Sequence, residues 1–310
     1  MLNARYVSLS GLDSNDGSIL SPKRTIKAAI ESLPTVDNDN IRHYGSIFVD
    51  NGTYDEIPPI YTDNHIRIVG TNTSASFGTR VRRNGIGNLF EPSPLSPSAF
   101  SHHLKLEHVT LDGNSSVYTE TASLLIIKRG GFNTYLHDVN FRNSTGPGIE
   151  LIGSGLNFSI NQATFSDCLG GAIKLNLDAG DLGLMDIDNL QIDNCGSSPI
   201  LIEDTKTTGN SLHTRFVSLR NIKFESQGVH QHCIHIKLNG NSPLAFNISN
   251  VWARNFPKGL ADNLIYEELG GGTARYVIHN CATDDQFNRC LWIPRLNVFV
   301  FPPYLSQILA

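Results

Sequence analysis

Charge is scarce in this chain, and so are sulfur and tryptophan. Only 17% of its 310 residues are charged, and 24 basic against 29 acidic side chains leave a formal charge of −5. Nucleic-acid binders show a basic surplus or a basic stripe, so no nucleic-acid partner is expected. No apolar run approaches the roughly 20 residues that span a bilayer, and no membrane insertion is expected either. The opening MLNARYVSLS lacks the apolar core of a signal peptide, which argues against an unprocessed secretory precursor. Five cysteines, Cys168, Cys195, Cys233, Cys281 and Cys290, are odd in number and show no CxxC spacing. That pattern points to free, mostly buried thiols and away from a disulfide framework or a zinc site. No cofactor is called for.

What is present is repetition. ATFSDCLGGAIKLNLD (163–178) is followed by LQIDNCGSSPILIED (190–204), the same order of apolar strand, polar turn with cysteine, glycine and second apolar strand. Val109, Val139, Ala163, Leu190, Ile222, Val251 and Cys281 serve as anchors, spaced by 30, 24, 27, 32, 29 and 30 residues. Three positions before each anchor stands a large aliphatic: Leu106, Leu136, Ile160, Ile187, Leu219, Ile248 and Ile278. Immediately before each anchor stands a polar residue: His108, Asp138, Gln162, Asn189, Asn221, Asn250 and Asn280. Two positions after come Leu111, Phe141, Phe165, Ile192 and Phe224, decaying to Ala253 and Thr283. A second short strand follows each time, as in IELIG, IKLNL, ILIED and IHIKL.

Strands alternate inward and outward with a period of two, so Ile149 and Leu151 face in and Glu150 faces out. Repeats of this length cannot each bury an apolar face alone, but stacked about 4.8 Å apart they share one core. The fold class read from the chain is all-β: a parallel β-solenoid with a short N-terminal capping helix. Cys168 and Cys195, each five residues past an anchor, should lie one above the other. The helix is expected to open at Ser21-Pro22, to bury Ile26, Ala29, Ile30 and Leu33, and to end at Pro34. Residues 1–310 form a single domain in this reading, with cap and first coils over 1–100, regular coils over 101–296 and an apolar tail over 297–310.

The segment YVSLSGLDSNDGSILSPKRTIKAAIESLP, with SIFVDNGTYDE and IRIVGTN after it, resembles the opening of pectate-lyase-like right-handed parallel β-helix proteins. The likeness is specific over roughly residues 6 to 70, and the coil pattern extends it to about residue 296. The wording of SPKRTIKAAI and IFVDNGTY is similar to β-helices of tailed-bacteriophage virion proteins: tailspikes, fibres and decoration proteins. That resemblance implies a homotrimer, contacts with other virion proteins and a place in the virion, made in the host cytoplasm. Because the β-helix text starts by about residue 6, it also predicts no separate virion-anchoring domain ahead of it. The superfamily holds lyases, hydrolases, epimerases and non-enzymatic proteins, so fold does not settle function.

Candidate site residues come from the outward positions. Glu150 is expected above Lys174, and Glu203 above Lys237; these four would carry catalysis if the chain is an enzyme, and are otherwise salt bridges between coils. Glu203-Asp204 and Glu267-Glu268 are poor carboxylate pairs, because neighbours on a strand face opposite sides. Asp178 and Asp181 read as a turn. His230 and His232 share a side of their strand and could chelate a metal around a trimer axis, or simply be two imidazoles at a solvated turn. Outward Trp292, Tyr266 and Trp252 are candidate platforms for sugar rings, or cover between subunits. Two functions remain open at this point: a virion surface protein that decorates the particle or binds host surface glycan, and a polysaccharide depolymerase, lyase or hydrolase.

Overall fold

The computed structural model describes residues 3–34, 43–61, 65–72, 78–93, 103–128, 133–153, 157–177, 184–196, 198–204, 215–225, 232–239, 244–254, 263–268, 274–283, 291–292 and 298–300. Each regular coil is a long strand followed by a short one. The pairs are Lys105–Asp112 with Leu125–Lys128, Thr134–Ser144 with Ile149–Ile152, Asn157–Cys168 with Ile173–Asn176, and Leu184–Asp193 with Ile200–Asp204. Arg215–Glu225 with His232–Leu238, Leu244–Ala253 with Asn263–Glu268, and Ala274–His279 with Leu291–Trp292 continue the series. Long strands pair with long strands in one sheet and short with short in a second. The pairing is parallel from coil to coil. This is an all-β, right-handed parallel β-helix, the hand that parallel crossover connections take.

The polar column ahead of the anchors has a backbone cause. His108, Asp138, Gln162, Asn189, Asn221, Asn250 and Asn280 all hold φ between 50° and 60°. A single left-handed residue bends each long strand into two faces, and Asn, Asp and His tolerate that region best. In the first two coils the same corner breaks the strand outright, giving Tyr44–Val49 then Gly52–Glu56, and His65–Gly70 then Thr79–Arg83. Lys105–Asp112 pairs with both pieces of the preceding coil, across His108. Gly70 lies directly against that corner: a Cβ there would sit 2.1 Å from the His108 carbonyl oxygen.

Inside, the aliphatic column is continuous. Leu106, Leu136, Ile160, Ile187, Leu219, Ile248 and Ile278 are register partners from coil to coil, and none is more than 1% exposed. Phe141 stacks on Phe165 at 4.7 Å. Cys168 and Cys195 are both buried free thiols, and the hydrogen bond between them, with burial, pushes the Cys168 thiol up.

The N-terminal cap differs from its expected form at both ends of the helix, which starts after Ser21-Pro22 and stops at Glu31, with Ser32 as its C-cap, short of Pro34. The helix spans Ile26–Glu31, and Thr25 caps it by accepting from Ala28 N at 3.1 Å. Ser21 and Lys23 are instead extended, bridging to Ser18 and Val7. The cause is Asp13, whose carboxylate accepts from the backbone N–H groups of Arg24 and Thr25 at 3.0 and 2.8 Å. The pinned segment stays extended until Thr25 opens the helix. Ile26, Ala29, Ile30 and Leu33 are buried as the helical spacing required. At the other end Val298–Val300 continues the first sheet on Ala274–His279; residues 301–310 of the apolar tail lie outside the described residues.

Candidate functional site on the second sheet

The short strands expose alternate residues, and parallel register turns those into two straight rows. One row runs Ile126, Glu150, Lys174, Leu201, His235, Tyr266 and Trp292; the other runs Lys128, Ile152, Asn176, Glu203, Lys237 and Glu268. Five of the residues singled out in the sequence therefore meet on one face: Glu150, Lys174, Glu203, Lys237 and Tyr266. The charges form a chain. Lys174 Nζ lies 3.6 Å from Glu150 and 4.0 Å from Glu203, and Lys237 Nζ lies 3.4 Å from Glu203 and 3.9 Å from Glu268. Ser123 Oγ donates to Glu150 Oε2 at 3.2 Å at the other end. Isolated exposed pairs contribute about 0–1 kcal/mol each, so the row orders the face more than it stabilises the fold. Alternation holds at its edges: Asp204 is 1% exposed and Glu267 is fully buried, while their neighbours Glu203 and Glu268 face out.

An imidazole and aromatic cluster closes the row. The His232 ring stacks on Tyr266 at 4.0 Å, nearly parallel, and His235 meets both rings edge-on at 5.2 Å. His235 Nε2 is 3.2 Å from Glu268, and its Nδ1 is 3.4 Å from Ser198 Oγ. Burial lowers both imidazoles; it brings His232 down to about 4, helped by His235, while Lys237 adds to the lowering at His235. Both are neutral at pH 7. His232 is 7% exposed and its Nδ1 has no hydrogen-bond partner among the described residues. One face of the Tyr266 ring is thus taken by His232. Trp292 is the register partner of Tyr266 on the next coil.

The remaining residues from the sequence reading lie elsewhere. Trp252 is on the first sheet, 37% exposed, with Arg254 and Lys223 over its ring at 4.7 and 5.8 Å. Glu225 pairs with both cations. His230, Asp178, Asp181 and Cys290 fall outside the described residues. Among the described residues no three metal-capable side chains converge.

Sequence reasoning passed over two groups on the first sheet. His108 Nδ1 is 2.9 Å from Asp138 Oδ2, and the His108 ring meets His137, which stacks on Tyr135. Asp186 and Asp188 both take Arg220 from the next coil, at 2.8 and 3.2 Å. Register carried the signal for both: Asp188 and Arg220 hold the same place in successive coils, as do His108 and Asp138 in the polar column.

No protein-family model matches the sequence, and no curated protein is similar to it. Similar folds are found among solved structures. A protein of Geobacillus virus E2, ORF18, superposes with a TM-score of 0.55 at 14% identity, over 94% of this chain and 63% of the viral one. The chain thus spans less than two thirds of that protein. A pectin methylesterase solved with a hexasaccharide gives 0.45 at 12% identity, over 100% of this chain and 96% of the esterase. The A-module of a mannuronan C-5 epimerase from Azotobacter vinelandii gives 0.29 at 9%, over 96% and 100% of the two chains. The fold of this chain is a right-handed parallel β-helix, and a similar fold is found in a protein of Geobacillus virus E2.

Proposed function

We propose that the chain is a bacteriophage virion surface protein, a decoration or tailspike-like subunit working as a homotrimer with other virion proteins, that binds host surface glycan without cleaving it. The observation that carries this reading is the row on the second sheet. Lys174, Lys237 and the central Glu203 each lie within ion-pair distance of two partners. An ordered polar strip ending in aromatic rings suits saccharide hydroxyls and ring faces. The fold shared with a viral protein supports placing the chain in a virion, and its catalytic relatives bear on fold alone.

The test is incubation with purified bacterial surface polysaccharides, following retention and turnover together. Retention with no rise in absorbance at ~235 nm and no new reducing ends is the expected result; both products are those named by lyase and hydrolase chemistry. Either signal, lost in Lys174→Ala or Glu203→Ala, would make the protein a depolymerase instead.

A further inference from the structure

We infer that the glycan taken by the Tyr266 end of the second sheet is neutral or amino-bearing, and that acidic polysaccharides are excluded there. This inference rests on the glycan-binding reading above and sharpens it to a ligand class.

The charges around Tyr266 carry the argument. Three carboxylates, Glu150, Glu203 and Glu268, share two ammoniums, Lys174 and Lys237, along this face. Each lysine already lies between two carboxylates, so a uronate or phosphate arriving here would meet one surplus negative charge. Repulsion of that kind is how interfaces reject wrong partners. The two imidazoles add no positive charge at neutral pH, because burial holds both below their ordinary value. The net charge of −5 on the whole chain acts in the same direction at longer range.

The polar atoms point to hydroxyls and amines. The outward carboxylate of Glu268, 48% exposed, is placed to accept from a hydroxyl or a protonated amine.

The test uses surface polysaccharide pooled from several bacteria and split by anion exchange into an unretained neutral and amino pool and a retained acidic pool. Binding of each pool to the intact protein is measured alongside Tyr266→Ala and the double variant Glu203→Lys, Glu268→Lys, with circular dichroism confirming the β-helix in each. The unretained pool should bind roughly tenfold or more tighter than the acidic pool, Tyr266→Ala should weaken it, and the double variant should gain binding to the acidic pool. Equal or tighter binding of the acidic pool by the unmodified protein, or a double variant with unchanged preference, overturns the inference while leaving glycan binding intact. Binding of neither pool overturns the glycan-binding reading itself.

Discussion

At the scale of single residues, the corner of each coil shows how one backbone demand writes a column of sequence. Five of the seven left-handed corner positions are Asn or Asp, and Asn side chains link along the stack: Asn250 Nδ2 donates to Asn221 Oδ1 at 2.9 Å and Asn280 Nδ2 to Asn250 Oδ1 at 3.1 Å. Gln162 holds φ 60° at the same corner without the short side chain that suits it. Gln162→Asn should therefore raise stability by about 0.5–1 kcal/mol, read as a higher urea midpoint.

Glu56 makes the second residue-scale prediction. It is 1% exposed and accepts from Ile26 N at 2.5 Å and Lys27 N at 3.4 Å, at the start of the capping helix. Burial outweighs those two donors and pushes its carboxyl up from 4.5 to about 7, with Asp13 adding to the rise and Lys27 opposing it. Between those values the unfolded chain loses its proton and the folded chain keeps it. The contribution of Glu56 to stability is therefore fullest below about pH 4.5, falls as pH rises to about 7, and then levels off, a loss on the order of 3 kcal/mol. Glu56→Gln should flatten that part of the profile. Parallel profiles for the two proteins would contradict the assignment.

At the scale of elements, packing along the stack dominates. Ile187 is fully buried between Ile160 and Leu219, so Ile187→Ala should cost about 2–5 kcal/mol, seen as a large drop in the denaturation midpoint. This column, the polar corner and both outward rows were legible in the sequence, because parallel register converts a fixed offset from an anchor into a fixed place in space. Less regular features were not. The helix begins at Ile26 because Asp13, 12 residues before Thr25, pins the chain, a contact no local pattern announces. Arg83 is 1% exposed and donates to the carbonyls of Gly113 and Tyr118, each at 2.8 Å, clamping a loop from the next coil. A run such as RVRR reads as surface, and only the stack shows which arginine turns inward. His232 was expected on the exposed side; its ring instead lies against Tyr266 from the neighbouring coil, and alternation within one strand carries no information about such a stack.

At the scale of the whole molecule, register is held across successive coils. If the coils slip by one residue anywhere, the aliphatic columns turn outward and the row from Glu150 to Glu268 breaks up. Lys128 and Glu268 stand at opposite ends of one outward column, five coil steps apart by successive register pairs. The most direct measurement is the distance between spin labels at these two positions, attached through ketone-bearing residues so that the native thiols do not react. In-register stacking predicts a single narrow distribution centred near 24 Å between the backbones, widened only by the label linkers. A broad distribution, or one centred beyond ~40 Å, would contradict the stacked coils and the shared face on which the proposed glycan site depends.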